Sequence, residues 1–81
     1  MNLNAKLMGL FLQTERKKMG MTQSELSEKL SVSPQAVSNW ERGEAVPDVS
    51  VLLDLAGVLH CSVDAILSGG KAAAVSAGIS R

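Results

Sequence analysis

The chain has 81 residues, 46% hydrophobic but only 2% aromatic, with eight basic and eight acidic residues. This describes one small domain whose core is Leu, Val, Ala and Met, a composition that favours packed helices over an aromatic, β-branched sheet. Formal neutrality argues against indiscriminate polyanion binding, and the single Cys61 excludes an internal disulfide and gives too few thiolates for a structural zinc site.

A first helix is expected over residues 4–19, with Gly20 as its stop. Met8, Leu12 and Met19 fall on one side, and Glu15 lies between them where that stripe wants an apolar residue. Leu3, Leu7 and Leu10 form a second apolar stripe. Two readings stand for it: packing on the last helix or the tail, or a dimer interface, because one short helix rarely buries two faces in a small core. The apolar run at 7–12 precedes QTERKK and lacks a small-residue cleavage site. No signal peptide or membrane span is therefore expected, and a cytoplasmic location is. Arg16, Lys17 and Lys18 make the one basic cluster; Lys17 and Lys18 either touch phosphate or complement the dipole of their own helix.

The second helix begins with a strong local signal. Thr22 and Glu25 have the T-x-x-E spacing of a capping box, Met21 is placed to staple onto Leu26, and Leu26 and Leu30 mark a buried edge. After the short SVS connection, Ser33 is the expected cap of a third helix with Pro34 at its first position, where the missing N–H costs nothing. Val32 would staple onto Val37, and Gly43 would end the helix. EAVP reads as a loop. Asp48 then caps a fourth helix in which Leu52, Leu55, Ala56 and Leu59 form a core stripe, and Ser62 caps a short fifth, VDAIL, before Gly69. The domain is assigned to residues 1–68 and a flexible or weakly helical tail to 69–81. The fold class is all-α: a compact bundle of about five short helices.

The third helix carries the most specific chemistry. At roughly 100° per residue, Gln35, Ser38, Asn39 and Arg42 share one arc, while Ala36, Val37 and Trp40 take the other with Glu41 at its margin. Trp40 is thus the core anchor. Each outward amide offers both a donor and an acceptor, so Gln35 and Asn39 suit an adenine edge in the major groove. Ser38 is small enough for close approach, Pro34 can meet a thymine methyl, and Arg42 can reach a phosphate or a guanine. A merely solvated face would more often carry Glu and Lys.

The ordered elements TQ-x-x-L-x-x-x-L (22–30), V-S-x-x-x-V-S-x-W-E-x-G (32–43), Pro47, L-x-x-L-A (52–56) and S-V-D-x-I-L (62–67) resemble the Cro/repressor-type helix-turn-helix family, also called XRE. The resemblance runs from about residue 8 to 69 and implies a lambda-repressor-like fold with a helix-turn-helix. It implies a sequence-specific DNA-binding regulator, usually a dimeric repressor, that places residues 33–42 in the major groove of a palindromic operator. By that likeness Gln35, Ser38 and Asn39 face bases and Gln23 touches a phosphate; the residues themselves add Pro34 as a candidate base contact and Ser33, Arg42, Lys17 and Lys18 as candidate phosphate contacts. It also implies an ion pair between Arg16 and Glu41. Ser31 stands where the family commonly has the turn glycine, which implies strain if that position requires a positive φ.

No cofactor, metal or catalytic role is expected. His60 and Cys61 are adjacent but lack further ligands, and no nucleophile–base pair or poised carboxylate dyad is visible. A second class of function stays open: a protein-interaction module, such as an antitoxin-like partner, reusing the same scaffold, motivated by neutral charge and the spare Leu stripe.

Overall fold

The computed structural model describes residues 4–70. Leu3, and the tail reading for residues beyond 70, lie outside the described residues. The order is α1 (Ala5–Lys18), α2 (Gln23–Leu30), α3 (Pro34–Glu41), α4 (Val49–Leu59) and α5 (Val63–Ser68).

Each helix starts at a side-chain cap. Asn4, Thr22, Ser33, Asp48 and Ser62 accept from the backbone N–H three residues on. This satisfies one of the donors that every helix start leaves unpaired, for about 1 kcal/mol each. At Thr22 the capping box is reciprocal: Glu25 N–H donates to Thr22 Oγ1 at 3.0 Å and Thr22 N–H to Glu25 Oε1 at 2.8 Å. Asp48 carries a second bond, from Ser50 Oγ at 2.9 Å. The Val51 N–H, followed by Ser50, holds its carboxyl below the usual carboxylate range.

The core lies where the apolar stripes of all five helices meet. Met8, Leu12, Leu26, Leu30, Val37, Trp40, Leu52, Leu55, Leu59 and Ile66 are buried in one cluster, with Phe11, Met21, Val32, Ala56 and Cys61 packed on it. α3 packs on α1 and α2, α4 on α2, and α5 on both α1 and α4. One expected core residue is not there. Met19 is the C-cap of α1 and is 43% exposed. The helical period that aligned it with Met8 and Leu12 ends one residue earlier, at Lys18. Glu15 sits half-buried at the rim of the core, where Lys18 Nζ donates to its Oε2 at 3.2 Å. Burial, with the Glu15 charge added, pushes the nearby Cys61 thiol up.

The turn between α2 and α3 is made by Ser31 in the left-handed conformation, φ 58° and ψ 41°. Val32 N–H bonds back to Ser27 O at 3.0 Å and Ser31 N–H to Glu28 O at 3.3 Å, closing the end of α2. An L-residue at this φ costs roughly 1–2 kcal/mol, part of which glycine gives back through its freer unfolded chain. Ser31→Gly is therefore expected to raise stability by about 0.5 kcal/mol in urea unfolding, whereas Ser31→Ala should not. Equal behaviour of the two variants would show that the turn carries no strain.

Candidate nucleic-acid interface

The placement of α3 is decided by what lies beneath it. Val37 is 1% and Trp40 7% exposed, so the opposite arc is turned to solvent. Ser33, Pro34, Gln35 and Arg42 are exposed, and Ser38 and Asn39 half-buried. Gly43, at φ 77°, ends the helix and sets its backbone against Lys6 of α1. Such a φ is open to glycine at no steric cost.

Beneath the outward arc, a buried polar cluster locks α3 to the two helices before it. Arg16 Nε donates to Glu41 Oε2 at 2.6 Å and Arg16 Nη2 to Glu41 Oε1 at 3.0 Å, the two-point fork of a guanidinium on a carboxylate. Arg16 Nη1 donates to Met21 O at 2.7 Å. The two side chains are 8% and 2% exposed. The hydrogen bonding of Arg16 to Glu41 outweighs the desolvation and raises the Arg16 pKa above its ordinary value. The cluster thereby spans the end of α1, Met21 in the connection to α2 and the last turn of α3.

Gln23 joins the same cluster. Its Nε2 donates to Glu41 Oε1 at 2.9 Å, so the amide expected at a phosphate is directed inward in this structure. The pull is physical: a buried carboxylate is the strongest acceptor within reach of the first turn of α2.

The outward residues are also bonded to one another. Gln35 Nε2 donates to Asn39 Oδ1 at 3.0 Å, and Arg42 Nη2 donates to the same oxygen at 2.7 Å. Arg42 Nη1 donates to Ser38 Oγ. Glu44, unassigned by the sequence reading, receives Arg42 Nη2 at 3.0 Å and Arg42 Nε at 3.3 Å. That hydrogen bond from Arg42, together with its charge, pulls the Glu44 carboxyl below the usual carboxylate range. The R-x-E spacing just past a helix end was the available signal, although the turn that brings Glu44 back over α3 lies beyond helical periodicity.

Lys17 and Lys18 stand exposed in the last turn of α1, with Lys18 paired to Glu15. The Leu stripe is split by the fold. Leu7 lies against Gly69 at the end of α5, so closely that a Cβ on Gly69 would fall 2.8 Å from Leu7 Cβ, whereas Leu10 is 56% exposed. Among the described residues there is no group of three or more His, Cys, Asp or Glu side chains that could hold a metal ion, and no helix is long and apolar enough to cross a membrane.

A helix-turn-helix family model matches residues 12–66 of this chain. The chain is 40% identical over 67 residues to repressor protein C2 of Salmonella phage P22, an alignment covering 83% of this chain and 31% of that protein. It is 38% identical over 60 residues to the HTH-type transcriptional regulator ImmR of Bacillus subtilis, covering 74% of this chain and 47% of the relative. The chain thus spans about a third to a half of the length of these curated relatives. Its fold superposes on the crystal structure of the P22 c2 repressor in complex with synthetic operator 9T with a TM-score of 0.75 and 38% identity, covering 85% of this chain and 98% of that one. The buried tryptophan, the capped helix pair and these matches agree: the chain belongs to the Cro/repressor-type (XRE) family of helix-turn-helix DNA-binding domains.

Proposed function

We propose that this chain is the operator-reading domain of a transcriptional repressor that acts inside the cell as a homodimer on palindromic double-stranded DNA. The observation that carries the reading is the division of α3: Val37 and Trp40 are buried while Gln35, Ser38, Asn39 and Arg42 line the side turned to solvent. In the proposed complex Pro34, Gln35, Ser38 and Asn39 meet base edges and Ser33, Lys17 and Lys18 meet phosphates, while Arg42, also expected at a phosphate, keeps its bonds to Ser38, Asn39 and Glu44. Gln23 joins the phosphate set by swinging from Glu41 to the DNA backbone. Two copies would read half-sites one helical turn, roughly 34 Å, apart. Leu10 is the open part of the Leu stripe for contact between them, since Leu7 is already covered by Gly69.

The experiment is a selection of duplexes from a random pool at fixed salt, followed by binding of the winning site and a scrambled duplex. Gln35→Ala is expected to weaken the selected site about ten-fold, relax preference at one base position and leave the scrambled duplex nearly unchanged. Equal loss on both duplexes would remove Gln35 from base reading. A pool with no winner, alongside tight capture of a protein partner, would favour the interaction-module reading.

A further inference from the structure

Asn39, Arg42 and Glu44 form a relay rather than three separate contacts. Asn39 Oδ1 accepts from both Gln35 Nε2 and Arg42 Nη2. The reversed amide would press its N–H donors against guanidinium donors, so this orientation is enforced. The amide's remaining capacity is its own N–H pair, which makes Asn39 a donor toward any ligand of the outward face. Ser38 Oγ, accepting from Arg42 Nη1, is likewise oriented to donate its hydroxyl proton.

Arg42 fixes these readers only while it is itself held. Ser38 and Asn39 are neutral acceptors, and a guanidinium near DNA is drawn toward phosphates. The opposing hold comes from Glu44, whose two oxygens take Arg42 Nε and Nη2. Glu44 is in turn tied to α3 by its own N–H, which donates to Asn39 O at 2.9 Å. An acidic residue on a DNA-facing surface weakens binding to every phosphate backbone, so its presence calls for a compensating use.

We propose that Glu44 is a specificity-determining positioning residue, whose carboxylate holds Arg42 across Ser38 and Asn39 so that those two side chains meet the bases preoriented as donors. This rests on the reading of α3 as the base-reading helix. Glu44 thereby exchanges general affinity for discrimination.

The test compares wild type, Glu44→Gln, Glu44→Asp, Arg42→Ala and the Arg42→Ala/Glu44→Gln pair on the selected and scrambled duplexes across a salt series. Glu44→Gln is expected to bind the scrambled duplex more tightly, with a salt slope steeper by about one phosphate's worth of counterion. Its ratio of selected to scrambled affinity should fall about five- to ten-fold. Glu44→Asp should recover part of that ratio, and Glu44→Gln should change it no further once Arg42 is alanine. In the free protein, ¹⁵N relaxation of the Arg42 Nε–H should show greater mobility in Glu44→Gln. A wild-type preference that survives Glu44→Gln unchanged would overturn the proposal and leave base reading by α3 intact. A further loss of ratio in the Arg42→Ala background would overturn it too, since Glu44 would then act directly. A wild type that prefers no duplex would mark the failure of the underlying reading, and the proposal would fall with it.

Discussion

Glu41→Ala is expected to lower the stability of the domain by about 3–5 kcal/mol, the cost of stranding a buried charge whose partner has been removed. Arg16 would keep its bond to Met21 O but lose both bonds to the carboxylate, and its guanidinium lies in a site only 8% exposed. A small domain holds roughly 0.05–0.15 kcal/mol per residue in all, so a large share of the folded state's margin is at stake. For a chain this short, each kcal/mol moves the midpoint by about 4–8 °C, and the melting temperature should fall by well over ten degrees. The companion experiment is the replacement of both partners, Arg16→Met with Glu41→Leu. Removing both charges also removes the desolvation of each, so the pair should lose much less than Glu41→Ala alone. If the double variant is as unstable as the single, the ion pair contributes net attraction beyond its own burial. If Glu41→Ala costs under about 1 kcal/mol, the pair behaves as a surface bridge and the lock on α3 lies elsewhere.

The same cluster explains why some of this molecule was legible in its sequence and some was not. Helix starts were legible because capping is local: Thr22 with Glu25, Ser33 with Pro34, and the caps Asp48 and Ser62 act within three residues of themselves. The division of α3 followed from the helical period, since Val37 and Trp40 could not share an arc with Gln35 and Asn39. What the period does not encode is where it stops, and Met19 is exposed because α1 ends at Lys18. Nor does it encode where a polar side chain finds its strongest partner. Gln23 turns to Glu41, a contact across 18 residues, and Glu44 turns to Arg42 through a loop. Leu7 and Leu10 share a stripe on paper, yet α5 ends on only one of them. Each of these departures is a matter of tertiary neighbours overriding a local rule.

Gly9→Ala is the clearest case of such a neighbour, and it is expected to destabilise the domain by about 2 kcal/mol although helix propensity alone predicts the reverse. Within α1, alanine should gain roughly 1 kcal/mol over glycine. The added Cβ, however, would fall within 3 Å of three backbone atoms at the end of α3: Trp40 O, Glu41 O at 2.6 Å and Glu41 C at 2.9 Å. No flexible side chain is available to move aside. Either α1 retreats from α3, opening the Met8–Trp40 part of the core and stretching the Arg16–Glu41 fork, or the last turn of α3 is displaced. Overpacking of a rigid site costs about 1–3 kcal/mol and sometimes more, which exceeds the propensity gain here because both walls are main chain. Gly57→Ala supplies the control. That glycine lies in α4 with nothing within 4 Å of the added Cβ, so the same exchange should stabilise by about 0.5–1 kcal/mol. Opposite signs for the two substitutions in urea unfolding are the expected result. In the proposed complex, Gly9→Ala should also weaken the selected duplex by more than its fraction unfolded accounts for, because the displaced turn carries Arg42. A Gly9→Ala protein as stable as wild type would mean that α1 and α3 do not approach closely at this point, and that the seating of the reading helix is set by Trp40 and the Arg16–Glu41 pair alone.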